Sequence, residues 1–295
     1  MTQEPRVLGR EPASLPLMLR AALPAVPVLN QLPGVRKAGQ ALPDLTLTRY
    51  DVPFDRTRIA AYDEVCGFPL KETVPLTYPH LLAFPLHMAI MTDAAFPFPA
   101  IGTVHLENAI TRHRAIAASE RLQVTCRPAD LRPHPKGRMF DMLTTAHAEG
   151  ELVWEERSTF LRVGRGESSA PAGGAFEEVP AGPIRWRLPG DLGRRYAAVS
   201  GDHNPIHLYG LTAKAFGFPR QIAHGMWSKA RCLAALEGRL PDAVSVEVSF
   251  KKPVLLPGTV AFGARRTEEG YAFSLTRPQD GAPHLLGRTT VRTPQ

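Results

Sequence analysis

The chain repeats itself, and that repeat limits what it can fold into more than any single motif does. Tyr62-Asp-Glu-Val65-Cys-Gly67 matches Tyr196-Ala-Ala-Val199-Ser-Gly201 at an offset of 134 residues. Further on, Tyr78-Pro79-His-Leu-Leu82-Ala83-Phe84-Pro85 lines up with Phe218-Pro219-Arg-Gln-Ile222-Ala223-His224-Gly225 at an offset of 140. The six extra residues sit in the second copy. A chain of 295 residues is long for one ordinary core, and modules usually run to about 100–150 residues, so the repeat reads as two modules in tandem.

A boundary between them is visible in composition. Residues 164–183 are rich in Gly, Pro, Ser and Ala and offer little that could pack, which marks a flexible connector. The expected organisation is an N-terminal extension (1–43), a first module (44–164), a linker (165–183) and a second module (184–295). Each module has the same coarse order, a helical stretch and then strands. In the second, Tyr209–Phe216 and Gly225–Leu236 carry helix formers, with Met226, Ala230, Leu233 and Leu236 on one face. Val244-Ser-Val246-Glu-Val248-Ser-Phe250 alternates as a half-buried strand does, and Thr259–Arg265, Tyr271–Arg277 and Leu285–Arg292 follow between turn residues. Helix plus consecutive strands, without βαβ alternation, predicts an α+β fold with antiparallel sheets.

Composition narrows the function classes. Hydrophobic residues at 44% and charged residues at 21% are those of a globular protein. The net charge of +7 is spread along the chain, and no helix-turn-helix, zinc-finger or aromatic-plus-basic strand signature accompanies it. Nucleic acid is therefore not the expected partner, whereas a small phosphate-bearing molecule fits. Cys66, Cys126 and Cys232 have neither disulfide nor metal-knuckle spacing and read as reduced thiols of a cytoplasmic protein. The apolar segment Leu15–Leu32 is broken by Arg20, Pro16, Pro24 and Pro27, so no membrane span is expected, and the N-terminus does not read as a signal peptide.

Chemistry concentrates in Tyr196-Ala-Ala-Val-Ser-Gly201-Asp202-His203-Asn204-Pro205-Ile206-His207. Gly, Asp, Asn and Pro in such close succession end a helix, which puts the Asp202 carboxylate on a loop, where rigid scaffolds display working groups. His207 opens the next helical segment, from which a turn could bring its ring back towards Asp202. An Asp and a His holding one water can move protons to and from a substrate. Ile222-Ala-His224-Gly225-Met226 precedes a helix whose N-terminus, with about half a positive charge, can stabilise an oxyanion. Two other readings stay open on the residues alone, and a third is excluded. The string could be only a capped turn with a structural histidine. Asp202, His203, His207 and His224 could ligate a metal, although Pro205 interrupts the i,i+4 geometry that would align His203 with His207. A serine hydrolase would need Gly-Xaa-Ser-Xaa-Gly, which is absent.

The string from Tyr196 to His207, with Ala213, Gly217 and Ala223-His224-Gly225-Met226, closely resembles the signature of MaoC-like (R)-specific enoyl-CoA hydratases over about residues 185–295. Leu76-Thr-Tyr-Pro79 and Phe84-Pro-Leu-His-Met88 extend the likeness to the two-copy 3-hydroxyacyl-thioester dehydratases of that family. The resemblance implies a double hot dog, two antiparallel sheets each wrapped round a helix. It implies a hydro-lyase without cofactor or metal, acting on fatty acyl thioesters of coenzyme A or acyl carrier protein, and a homodimer is one assembly open to it. By the same carry-over Asp202 and His207 form the catalytic dyad, Asn204 fixes the loop, and the Gly225 N–H forms the oxyanion hole. His224, Met226 and Phe250 would then line the substrate, and Lys251 and Lys252 would meet the coenzyme A phosphates. A hot-dog thioesterase and a non-catalytic acyl-binding protein are the rivals. The first copy departs from the pattern: Phe68 stands opposite Asp202, Pro85 opposite Gly225 and Thr73 opposite His207. It is expected to be a structural partner that makes room for acyl chain.

Overall fold

Each copy of the repeat begins with a strand, then a helix that a glycine closes. The computed structural model describes residues 4–12, 16, 17, 21 and 40–292, and most of the apolar segment 15–32 lies outside them. The first copy contains β1 (Arg6–Val7), β2 (Leu47–Pro53), α1 (Arg56–Cys66), α2 (Pro79–Thr92), β3 (Thr103–Arg112), β4 (Arg121–His134), β5 (Gly137–Ala148) and β6 (Glu151–Val163). The second contains β7 (Ile184–Leu188), α3 (Leu192–Ser200), α4 (Pro205–Leu208), α5 (Gly210–Ala215), α6 (Gly225–Leu236), β8 (Val244–Phe250), β9 (Gly258–Arg266), β10 (Gly270–Thr276) and β11 (Pro283–Val291). Helices α1 and α3 both end on a glycine with φ 79°, Gly67 and Gly201, a left-handed turn that glycine adopts without a Cβ penalty. No helix among the described residues is long and apolar enough to cross a membrane.

Contacts gather the chain into two compact units that do not follow chain order. One comprises Met1–Pro53, His80–Leu106 and Arg121–Gly173, the other Phe54–Pro79, Glu107–Glu120 and Gly174–Gln295. In the first, β2, β4, β5 and β6 pair antiparallel in that order, with β1 parallel to β2. Helix α2 is apolar on nearly every side, with Leu81, Ala83, Leu86 and Ile90 fully buried, as a helix in the centre of a core must be. In the second unit β7, β9, β10, β11 and β8 pair antiparallel in that order, and the second half of β3 adds to β8. Helix α6 packs on β10 and on α1. The strand order is thus the same in both copies, as duplication requires. Val244, Val246 and Val248 of β8 are fully buried while Ser245 and Glu247 between them are not, so alternation reported that strand correctly.

Two points refine the expectations. Residues 164–183 hold no helix or strand and are mostly exposed, but the part from Gly174 onwards is anchored to the sheet at Val179 and Glu177. Val179 is buried, its carbonyl accepts the Ser274 hydroxyl at 2.6 Å, and Glu177 pairs with Arg265 at 2.6 Å. A glycine-rich backbone can lie directly on a sheet: a Cβ on Gly263 would sit 2.2 Å from the Pro180 carbonyl. The second point concerns alignment. Gly225 is the first residue of α6, whereas Pro85 lies inside α2. Helix phasing therefore sets Pro79, the first residue of α2, opposite Gly225, and Tyr78 opposite His224. Proline suits that first position, and it too lacks the N–H of Gly225.

Candidate active site

The end of α3 and the start of α4 are held by short-range bonds that the loop's own residues make. The Asp202 carboxylate accepts the Asn204 N–H at 3.1 Å, and the Asn204 side chain accepts the Ile206 N–H at 3.4 Å, capping α4 ahead of Pro205. His207 then stands within the single turn of α4. A Cβ on Gly193 would sit 1.9 Å from the His207 carbonyl, so only glycine lets α3 approach this turn so closely.

The chain returns through Ile222 to deliver the other half of the group. The His207 ring is 8% exposed and its Nδ1 lies 2.8 Å from the Ile222 carbonyl. A carbonyl can only accept, so Nδ1 carries a proton. Burial, the largest influence, pushes the pKa of His207 below its usual value, against the opposing pull of Asp202 and the Ile222 carbonyl. The ring is therefore neutral, and Nε2 is left as an acceptor. His224 precedes α6 and is 3% exposed; its Nε2 lies 3.0 Å from the Asp202 carbonyl and 3.8 Å from the Asp202 carboxylate. Its ring stacks on His207 with centroids 3.7 Å apart, and Tyr196 flanks it at 4.8 Å. Burial first, and then His207, hold the His224 pKa down to about 3. Donor atoms of Asp202, His207 and His224 lie within 4.8 Å of one another, a spacing at which a small cation could also be held; His203 is not among them.

Gly225 opens α6, so its N–H has no partner in the preceding turn of that helix. A Cβ there would meet the Phe250 ring at 3.1 Å, so Gly225 and Phe250 fit face to face. Met226, next to Gly225 in sequence, is buried. Lys251 and Lys252 leave β8 with exposed side chains, and their backbone N–H groups bond to the His284 and Pro283 carbonyls at 2.9 and 3.2 Å. The structure thus gathers Asp202, Asn204, His207 and His224, sets Gly225 against Phe250, and leaves the two lysines at the surface. Sequence reasoning passed over Gly193 and the Ile222 carbonyl, and gave Tyr196 no role of its own. Of these, Gly193 had a signal, a glycine inside a helical stretch.

In the first copy Phe68, opposite Asp202, is 7% exposed and stacks on Tyr62 with centroids 6.2 Å apart. The position of the Asp202 carboxylate is thus taken there by an apolar ring packed on another ring.

Comparison with known proteins places these features in a family. Residues 174–275 match the MaoC like domain. The chain is 40% identical over 286 residues to 3-hydroxyacyl-thioester dehydratase X of Mycobacterium tuberculosis, covering 96% of this chain and 99% of that one. Over 109 residues it is 33% identical to the (R)-specific enoyl-CoA hydratase of Aeromonas caviae, covering 34% of this chain and 81% of the relative. The crystal structure of HtdX from Mycobacterium tuberculosis superposes with a TM-score of 0.75 at 38% identity, over 84% of this chain and 100% of that one. A Mycobacterium tuberculosis protein described as a double hot dog matches at a TM-score of 0.52 and 14% identity, over 87% and 96% of the two chains, a likeness of fold alone.

Proposed function

The chain belongs to the MaoC-like family of 3-hydroxyacyl-thioester dehydratases, and from that membership we propose how its residues carry out the reaction. It is a double-hot-dog hydro-lyase that adds water across the C2–C3 double bond of a trans-2-enoyl thioester, or removes it from the (R)-3-hydroxyacyl form. In our reading one water sits between the Asp202 carboxylate and Nε2 of His207. The hydroxyl goes to C3, a proton goes to C2 on the same face, and the thioester oxygen carries the charge of the enolate between the two steps. The Gly225 N–H, at the positive end of α6, stabilises that oxygen. Asn204 holds the loop, and His224 fixes the Asp202 backbone and supports the His207 ring by stacking. Met226 and Phe250 wall the acyl group near the reacting carbons. Lys251 and Lys252 take the phosphates if the carrier is coenzyme A.

The observation that carries this reading is the 2.8 Å contact that commits the His207 Nδ1–H to the Ile222 carbonyl. The ring's other nitrogen can then accept a proton from water, which an imidazolium could not do. A thioesterase on this fold would also need a water, but the family's hydratase pairing of Asp202 with His207 is intact here. Residues 184–295 are proposed to carry the chemistry, with the first copy serving as a partner without a site of its own. Chiral analysis of the product from trans-2-enoyl-CoA tests the reading: only the (R)-3-hydroxyacyl thioester is expected. An (S) product, or release of free thiol without hydration, would refute it.

A further inference from the structure

The first copy contains a buried polar cluster that its role as a partner module does not explain. His80 and His87 lie seven residues apart on α2, two turns and hence one face of the helix. Glu156, on β6, joins them. All three are buried, with 6%, 1% and 3% exposure. The carboxylate oxygens of Glu156 lie 2.8 and 3.0 Å from Nδ1 of His80, and the two imidazole rings are 5.8 Å apart. The second copy provides an internal control. With Pro79 set opposite Gly225, the residues matching His80 and His87 are Met226 and Leu233, so the hot-dog helix packs well with apolar groups in both places.

The imidazole of His87 is prepared as a ligand. Its Nε2 lies 2.8 Å from the Thr144 hydroxyl, which fixes the ring, while its Nδ1 is buried and has no hydrogen-bond partner among the described residues. Such an outer hydrogen bond is how metal-binding histidines are commonly oriented. Donor atoms of His80, His87 and Glu156 all lie within 4.8 Å of one another. Zinc bonds of about 2.0–2.1 Å put tetrahedral ligands about 3.4 Å apart, so side-chain movements of about an ångström would close the set.

We propose that His80, His87 and Glu156 bind one divalent transition-metal ion, zinc first by ligand chemistry, which ties α2 to β6 in the first copy. Two imidazoles and a carboxylate suit zinc better than the hard cations that prefer all-oxygen sites. The site is separate from Asp202, His207 and His224, and does not depend on the reaction proposed for them.

The full chain is purified, its metal content is measured, and it is then stripped with a chelator and titrated with zinc alone. The expected result is one equivalent of zinc per chain, with a rise of several degrees in Tm. Asp202→Asn should keep both effects, while His87→Leu and His80→Met, which copy the second module, should lose both. Substoichiometric zinc in the wild-type chain would overturn the proposal. So would a zinc equivalent that survives in both histidine variants, or one that disappears in Asp202→Asn. Should the histidine variants fail to fold, the Asp202→Asn chain decides by itself, since its α2 cluster is intact: one equivalent supports the site and none refutes it.

Discussion

Replacing His224 with phenylalanine should make the protein less stable at neutral pH yet less sensitive to acid. The native ring is held neutral down to about pH 3, whereas an unfolded histidine takes up its proton near 6.5. Because the folded pKa lies below the unfolded one, only the unfolded chain gains this proton as pH falls between the two values. The stabilising contribution is whole above about 6.5 and is lost on going down towards 3. Between pH 7 and pH 5 the unfolded state gains about 25-fold from this one protonation, or about 2 kcal/mol. His224→Phe keeps the ring and its stacking on His207 but removes the bond to the Asp202 carbonyl, made at 3.0 Å in the native chain. A buried acceptor left without its donor costs about 1–3 kcal/mol, the expected loss at pH 7. Urea unfolding followed by tryptophan fluorescence at pH 7 and pH 5 reads both quantities. The wild type should lose about 2 kcal/mol more than the variant over that interval. Equal losses in the two proteins would show that His224 is not held neutral, and the reasoning about this site would fail with it.

Three further substitutions probe other parts of the account. Gly193→Ala should force the His207 turn away from α3, since its Cβ would sit 1.9 Å from the His207 carbonyl; a displacement of about 1 Å can cost about 10²-fold in kcat, measured by enoyl-thioester hydration. Lys229 is fully buried and donates to the Asn108 and Val246 carbonyls at 3.2 and 3.1 Å. Lys229→Met should therefore destabilise by about 1–3 kcal/mol in denaturant titration, with activity retained in the fraction that stays folded. Phe68→Asp would bury a carboxylate against Tyr62 and should destabilise by several kcal/mol, seen as a lower Tm, without creating a second site.

The parts of this molecule that were legible in its sequence are those whose physics is local. The Gly201-to-His207 string contains its own capping bonds, so a loop that presents Asp202 followed by a turn that carries His207 could be read directly. Alternation exposed β8, and helical spacing exposed α6 with the observed ends. What could not be read depends on where distant chain returns. The Ile222 carbonyl that sets the His207 tautomer is a backbone atom fifteen residues on, and no side-chain pattern reports it. Glu156 is 76 residues from His80, so that cluster is invisible until β6 lies beside α2. The pairing of Pro85 with Gly225 failed for another reason. An ungapped match follows residue type, here Tyr78-Pro79 against Phe218-Pro219, whereas the fold counts from the first turn of each helix. The anchoring of the connector was out of reach for the same reason as the Glu156 cluster, since Glu177 and Val179 meet Arg265 and Ser274, 88 and 95 residues on.

The central claim is that Asp202 and His207 together perform the hydration, once per chain. The loss of enoyl absorbance of trans-2-enoyl-CoA, followed for the wild type, Asp202→Asn, His207→Ala and the double variant, tests it most directly. Each single variant should fall by about 10² to 10⁴ in kcat with its circular dichroism unchanged, and the double variant should fall little further, since the two groups act on one water. Near-normal rates in the single variants, or a rate in the double variant close to that of the wild type, would show that the chemistry lies elsewhere in the chain.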